Sequence, residues 1–260
     1  MVFIKDILDQ IELFAPLTLQ ESYDNAGVQI GSSEQEAKAA LVCLDVTEEV
    51  IDEAIQLECN LILAHHPLAF HAFKSLTGKN YIERCMLKAC KNDLVIYAAH
   101  TNLDNAMGGV SFKMATMLGL TDTHFLCPMP KGEGGSGVIG KLPKELTEKE
   151  FLLQLKQTFD VASVKHTVGT GRKVKKIALC SGSGAFMIKD ALAAKADVFI
   201  TGEAKYNDFF DVENLMLLAV IGHYESEVCT KNLFHDIISK KFPTFALHFS
   251  NVNSNPIKYL

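Results

Sequence analysis

The sequence predicts an α/β protein built as two similar lobes, and three observations carry that reading. Short apolar runs alternate with amphipathic stretches along most of the chain, the pattern of βα units with largely parallel strand pairing. The second half partly repeats the first. Four apolar runs end in histidine or carboxylate, and open α/β sheets collect ligands outside the carboxyl ends of their strands.

The elements follow in order. Residues 2–14 carry helical apolar spacing that Pro16 stops. "AGVQIG" (26–31) and "AALVCLDVT" (39–47) read as strands. Residues 47–59 read as a helix with Thr47 as N-cap and two glutamates in the first turn. The apolar run of "NLILAHHPLAF" (60–70) reads as a strand, followed by a helix over 80–92. "LVIYAAHTNLD" (94–104) reads as a strand and 109–118 as a helix. "PMPKGEGGSG" (128–137), rich in Pro and Gly, reads as the linker between lobes. Beyond it "VIGKL", "KKIALCSG", "DVFITGE" and the start of "LLAVIGHYESE" read as strands, 184–195 as a helix, and "TFALHFS" closes the chain.

Cys43 and Cys180 lie 137 residues apart, as do Ile51 and Ile188, Ala54 and Ala191, and Asn60 and Asp197. The overlay sets His65-His66 opposite Gly202-Glu203. One unit later "HTNLD" (100–104) resembles "HYESE" (223–227), each with a carboxylate four residues after a histidine. A duplication predicts two lobes whose polar strand ends converge. The expected limits are 1–127 plus 221–260 for the first lobe and 128–220 for the second.

Composition narrows the class. Of 260 residues, 48% are hydrophobic and 22% charged, with a net charge of −6, which is globular and not broadly basic. Lys173, Lys175 and Lys176 form a short basic cluster that reads as a solvated loop, so nucleic acid is not an expected partner. No apolar stretch approaches the roughly 20 residues of a membrane span, and the N-terminal stretch carries acids, unlike a signal peptide. Seven scattered cysteines without a C-x-x-C pair fit a reduced cytoplasm.

The strand ends carry the chemistry. His65-His66, His100 with Asp104, Gly202-Glu203, and His223 with Glu227 supply imidazole and carboxylate, which suit Zn, Fe, Mn or Ni. Neighbouring residues on a strand point to opposite faces, so His65 and His66 share one ion only if the strand has ended; otherwise they serve two. His223 and Glu227 share a face if their segment is the first turn of a helix. His71, His124, His166, His235 and His248 read as packed or surface residues. The "CSGSGAF" loop (180–186) reads as a tight βα turn rather than a phosphate cradle, since no phosphate-loop pattern is complete.

With "YDNAGVQIG" (23–31), "AHHPL" (64–68), "HTNLD", "TGE" (201–203) and "GHYESE" (222–227) in this order, the chain resembles the Nif-three-like family, also called GTP cyclohydrolase 1 type 2 homologues. The resemblance implies two similar α/β lobes with a dinuclear metal site between them, assembled as a homohexamer. It implies two divalent ions held by His65, His66, Asp104, His223 and Glu227, with Glu227 as bridge. The implied activity is that of a metal-dependent hydrolase, cyclohydrolase-like or phosphoesterase-like, using a metal-activated water on a small-molecule or nucleotide substrate. His100 and Glu203 are then the expected proton carriers. The alternatives are a non-catalytic metal-binding scaffold and a nucleic-acid-binding ring. Longer family members carry an inserted domain where this chain has only 128–137.

Overall fold

The computed structural model describes residues 2–130 and 132–260. In chain order the elements are α1 (Ile4–Phe14), β1 (Gly27–Ile30), β2 (Ala40–Cys43), α2 (Glu48–Gln56), β3 (Leu61–Ala64), α3 (Tyr81–Lys91), β4 (Val95–Ala98) and α4 (Thr101–Asp104). Then come α5 (Val110–Met117), β5 (Thr121–Pro128), β6 (Gly135–Thr147), α6 (Glu148–Thr158), β7 (Lys165–His166), β8 (Lys173–Cys180), α7 (Ile188–Ala193) and β9 (Val198–Thr201). The chain ends with β10 (Leu217–Val220), α8 (His223–Glu227), α9 (Thr230–Ser239) and β11 (Leu247–Phe249).

These elements form two compact units. One runs through Leu103 and takes back Thr230–Lys258; the other comprises Asp104–Cys229 with Tyr259–Leu260. The divide lies at Leu103/Asp104 and Cys229/Thr230 instead of at 127/128 and 220/221. The reason is that β5 pairs with β6 in the second sheet and that α9 packs on α1 and β2 of the first. The stretch 128–137 is accordingly no linker. Its described residues, all but Lys131, belong to the β5–β6 hairpin, with Pro128 opposite Gly135 and the Met129 amide donating to the Gly134 carbonyl at 2.8 Å. A Cβ at Gly135 would sit 2.7 Å from both the Cys127 carbonyl and the Phe125 ring, so the composition serves close approach, not flexibility.

The first unit's sheet has the order β1-β4-β3-β2-β11, parallel throughout except for β1 at its edge. Both faces are covered, which is why β2, β3 and β4 read as unbroken apolar runs. Leu41, Cys43, Ile62, Ala64 and Ile96 pack with Val50, Ile51 and Ala54 of α2 and Cys85 and Ala89 of α3. On the opposite face the Tyr97 hydroxyl donates to Glu12 of α1 at 3.3 Å. Thr47 caps α2 as expected, its hydroxyl accepting from the Val50 amide at 3.3 Å.

The second unit's sheet has the order β5-β6-β8-β9-β10-β7, with β8, β9 and β10 parallel and β7 antiparallel at the edge. Ala178, Cys180, Phe199, Leu218 and Val220 pack with Met187, Ile188 and Ala191 on one face. Buried Phe151 and Leu155 of α6 cover part of the other.

The predicted repeat is present in the strand register. Ala40–Cys43 pairs with Leu61–Ala64 as Ile177–Cys180 pairs with Val198–Thr201, every position offset by the same 137 residues. Each trio of parallel strands is flanked by one antiparallel edge strand, β1 or β7, that precedes it in the chain. The last strand of each trio runs into a short helix, α4 or α8. One detail differs from the overlay of "HTNLD" on "HYESE". Ala64 pairs with Ala98 and Thr201 with Val220, so register places His100 opposite Gly222, one residue before His223.

Glu83 organises the stretch that leads into α3. Buried against it, its carboxylate accepts from the Thr77 amide (2.7 Å) and hydroxyl (3.0 Å), the Lys79 amide (3.3 Å) and Asn80 (3.1 Å). Donation led by the Thr77 amide lowers its pKa from 4.5 to about 2. A carboxylate depressed in the folded state contributes stability above pH 4.5 that is lost as pH falls toward 2. Glu83→Gln is expected to lower Tm by about 2–4 °C at neutral pH. Thermal denaturation across pH 6 to 2 should show that difference shrinking below pH 4.5.

Candidate metal centre

In the first unit the question posed by adjacent histidines is settled by backbone hydrogen bonding. β3 ends at Ala64, and the amides of His65 and His66 both donate to one acceptor, the Leu44 carbonyl, at 3.2 and 3.0 Å. Two consecutive amides on one carbonyl break the strand alternation, so both rings come to the same place. Their centroids lie 5.0 Å apart, and His100, arriving from the end of β4, lies 5.4 Å from His65 and 5.5 Å from His66.

Each of the three rings has its Nδ1 held. His65, fully buried, donates from Nδ1 to the Ala99 carbonyl at 2.8 Å. His66 Nδ1 meets Asp45 at 2.6 Å, and Asp45 also accepts from the Ser254 hydroxyl at 2.6 Å. His100 Nδ1 meets Asp24 at 2.7 Å, and Asp24 also accepts from the Asn25 amide at 2.7 Å, the Thr101 amide at 3.0 Å and the Thr101 hydroxyl. Burial works against ionising both acids, yet hydrogen bonds led by those from His66 and His100 prevail. Asp45 is shifted below the usual carboxylate range and Asp24 to about 2. Both are acceptors at neutral pH, which places the proton of each ring on Nδ1 and the lone pair on Nε2. That is the tautomer in which metal-binding histidines are held by their outer partners.

In the second unit α8 places His223 and Glu227 one turn apart, with Nε2 3.0 Å from a Glu227 carboxylate oxygen. His223 Nδ1 lies 3.1 Å from Glu203, which follows β9. Glu203 thus stands toward His223 as Asp45 stands toward His66. Asp104 accepts from the Ser181 hydroxyl at 3.1 Å, which in turn lies 3.2 Å from the hydroxyl of Ser111. Burial raises the thiols of Cys180 and Cys229, both near Asp104 and Glu227, the latter to about 12. They stay protonated at neutral pH, leaving imidazole and carboxylate as the donors.

The "CSGSGAF" loop is a tight turn, as read from the sequence. Its amides are taken by side-chain hydroxyls: Ser181 by Ser111 (3.1 Å), Gly182 by Ser226 (2.9 Å) and Gly184 by Thr201 (2.9 Å). Gly182 has φ +58°, and a Cβ there would lie 2.2 Å from Glu227 Oε1. The loop is shaped to leave that carboxylate its place.

His65 and His66 of the first unit and Glu227 of the second are, among the described residues, those whose side chains could serve a metal ion. The structure therefore gathers His65, His66 and His100 in one unit and His223, Glu227 and Glu203 in the other, with Asp104 fixed by Ser181. Sequence reasoning passed over Asp45, and it quoted Asp24 within "YDNAG" without giving it a role. Asp24 lies 76 residues from its histidine in the chain, and Asp45 lies 21. The available signal was that each follows or precedes an apolar strand as an acid.

Known proteins resemble this chain along most of its length. The family model described as Duf34/NIF3 (NGG1p interacting factor 3) matches residues 2–256. A Clostridium perfringens protein named GTP cyclohydrolase 1 type 2 homolog is 35% identical over 226 residues, 86% of each chain. A protein of the same name from Lactococcus lactis is 32% identical over 262 residues, covering 97% of this chain and 98% of the relative. Among solved structures, Staphylococcus aureus protein SA1388 superposes with a TM-score of 0.92 at 27% identity, over 100% of this chain and 99% of that one.

Two substitutions test the supporting groups. Asp45→Asn removes the charge behind His66 and is expected to weaken divalent-metal affinity about 10- to 100-fold, measured by competition with a chromophoric chelator. Gly182→Ala should displace the Glu227 carboxylate and lower affinity at least as much, with an unchanged circular dichroism spectrum.

Proposed function

This chain belongs to the Duf34/NIF3 family, and from that premise we propose that it is a dinuclear-metal hydrolase, with His65, His66, Asp104, His223 and Glu227 as the ligands. The observation that carries the reading is the cluster of three imidazoles whose Nδ1 atoms are all committed to acceptors. A donor set of neutral imidazole and carboxylate, without thiolate, suits zinc, iron, manganese or nickel. When bound, two divalent ions supply Lewis acidity and a water nucleophile near neutral pH.

The chain's own residues divide the remaining work. Ala99, Asp45 and Glu203 orient His65, His66 and His223 through their Nδ1 atoms. Ser181 holds the Asp104 carboxylate in one rotamer. His100 has no place in the ligand set, yet it stands against His65 and His66 with an ionised Asp24 behind it. That His–Asp pair is suited to take a proton at Nε2 and return it, so His100 is the proton carrier of this reading. Glu203, bound to His223, orients rather than carries. Five ligands leave positions on two ions for water and substrate, as a catalytic site requires. The relatives' name suggests a nucleotide, with a phosphodiester as the other class such a centre attacks.

Protein loaded with each metal should turn over GTP or a phosphodiester faster than metal-free protein, with two ions per chain by mass spectrometry of the metals. His65→Ala should reduce the metal content and lower the rate at least 100-fold, while His100→Ala should keep the metals and still lower the rate about 100-fold. Two ions bound with no rate on either class would overturn the hydrolase reading in favour of a non-catalytic metal-binding protein. Self-assembly as a homohexamer belongs to the same proposal, and sedimentation would measure it.

A further inference from the structure

An exposed aromatic loop lies beside His100, one of the three clustered histidines of the first unit. After β3 the chain runs through residues 69–80 without regular structure before α3 begins. Phe70, Phe73 and Leu76 in this stretch are each about 40% exposed, and Tyr23, from the segment that supplies Asp24, is 65% exposed. Isolated exposed apolar groups are ordinary, whereas a set of them beside a polar cluster marks a binding surface. Here the set is continuous with that cluster. The Phe70 ring stands 6.2 Å from His100 at 82°, and Tyr23 lies 6.4 Å from Phe70 at 47°.

The loop is fixed at both ends. Ala69 donates its amide to Gln29 at 3.3 Å and accepts from the Asn25 side chain at 2.6 Å, so β1 and the Tyr23–Asn25 turn hold the position of Phe70. At the other end Glu83 gathers the Thr77 and Lys79 amides. The fold thus holds the ends of the loop while leaving Phe70 and Phe73 40% exposed. Water-exposed rings in a held position offer a stacking surface at little ordering cost.

We propose that Phe70 and Tyr23 form an aromatic platform that takes the planar heterocyclic ring of a substrate and sets it against His100. This deepens the hydrolase reading, on which its catalytic meaning rests, by assigning the substrate a base-like ring and naming the positioning residues that select it. A phosphodiester without a ring would gain nothing from the platform. Stacking one base on an aromatic side chain contributes about 1–3 kcal/mol, so loss of the Phe70 ring weakens binding about 5- to 150-fold.

The chain has no tryptophan, so Phe70→Trp places a single indole reporter at the platform. Its fluorescence is to be titrated with guanosine 5′-monophosphate and with ribose 5-phosphate, which differ only in the ring, on metal-free and metal-loaded protein. Saturable quenching by the nucleotide and none by the sugar phosphate is the expected result, in both metal states. In calorimetry, Phe70→Ala should weaken nucleotide binding at least fivefold, Phe70→Tyr should retain it, and Leu13→Ala, at an exposed position of α1 outside this loop, should leave it within twofold. Equal quenching by both compounds, or none by the nucleotide at millimolar concentration, overturns the platform. So does indole emission that responds to protein concentration but not to nucleotide, which would make the surface a contact between chains. The metal-free titration separates this outcome from failure of the hydrolase reading, because ring stacking needs no turnover.

Discussion

One backbone carbonyl, that of Leu44, decides what the first unit's site can be. Strand geometry sends successive side chains to opposite faces, and a regular continuation of β3 would have divided His65 from His66. By accepting both amides, Leu44 ends the ladder and brings both rings to within 5.0 Å of each other. Pro67 follows, unable to donate to any continued pairing. Once the two rings are together, the geometry of the remaining groups follows from them. His100 arrives beside them because β4 pairs in parallel with β3, and Ala99, which accepts from His65, also donates its own amide to Ala64.

The same framework appears twice in the chain with different chemistry at its strand ends. Where the first copy carries His65-His66 the second carries Gly202-Glu203, with Thr201 and Gly184 fixing the neighbouring turn. A Cβ at Gly202 would lie 2.6 Å from the Ser226 hydroxyl, so the second copy gives up a side chain to admit α8. The first copy contributes imidazoles and the second chiefly carboxylates, with His223 as the exception. Duplication supplied the register, and a few residues at the strand ends supplied the difference.

The parallel strands were legible because burial on both faces leaves no alternation to confuse, only short apolar runs between turns. The repeat was legible for the same reason, since buried positions constrain residue type in both copies. Five elements were not read, among them the two-residue β7 and α4, whose residues 101–104 were expected to continue a strand. β5 is an exposed outer strand whose first residues, "TDTH", carry no apolar pattern. α6 announces itself by a Thr147–Glu150 capping box, with Thr147 accepting from the Glu150 amide and Glu150 from the Thr147 amide, a signal present in "TEKE" and passed over. α9 follows α8 so closely that the apolar spacing of the two ran together. The Pro/Gly-rich composition of 128–137 does not separate a linker from a hairpin, because glycine serves conformational freedom and close packing alike. The histidines and carboxylates at the strand ends, Glu203 among them, stand out in the sequence, but Asp24 and Asp45 do not, because a hydrogen bond across 76 residues leaves no local trace.

Those partners set the order in which the first unit's site can form. Asp24 comes from the segment before β1, Asp45 from the end of β2, and Ser254, which steadies Asp45, from the last residues after β11. A buried carboxylate is costly unless donors surround it, and here the donors come from segments distant in sequence. Asp45 gains its Ser254 donor only once β11 has paired with β2, and Asp24 gains its Thr101 donors only once the chain before β1 has reached α4. The imidazoles are therefore oriented only in the folded unit, whereas an unfolded chain presents them in every tautomer and rotamer. A ligand that requires the Nε2 lone pairs of His65 and His66 at once discriminates between those two states, so whatever free energy it gains on binding is added to the stability of this fold.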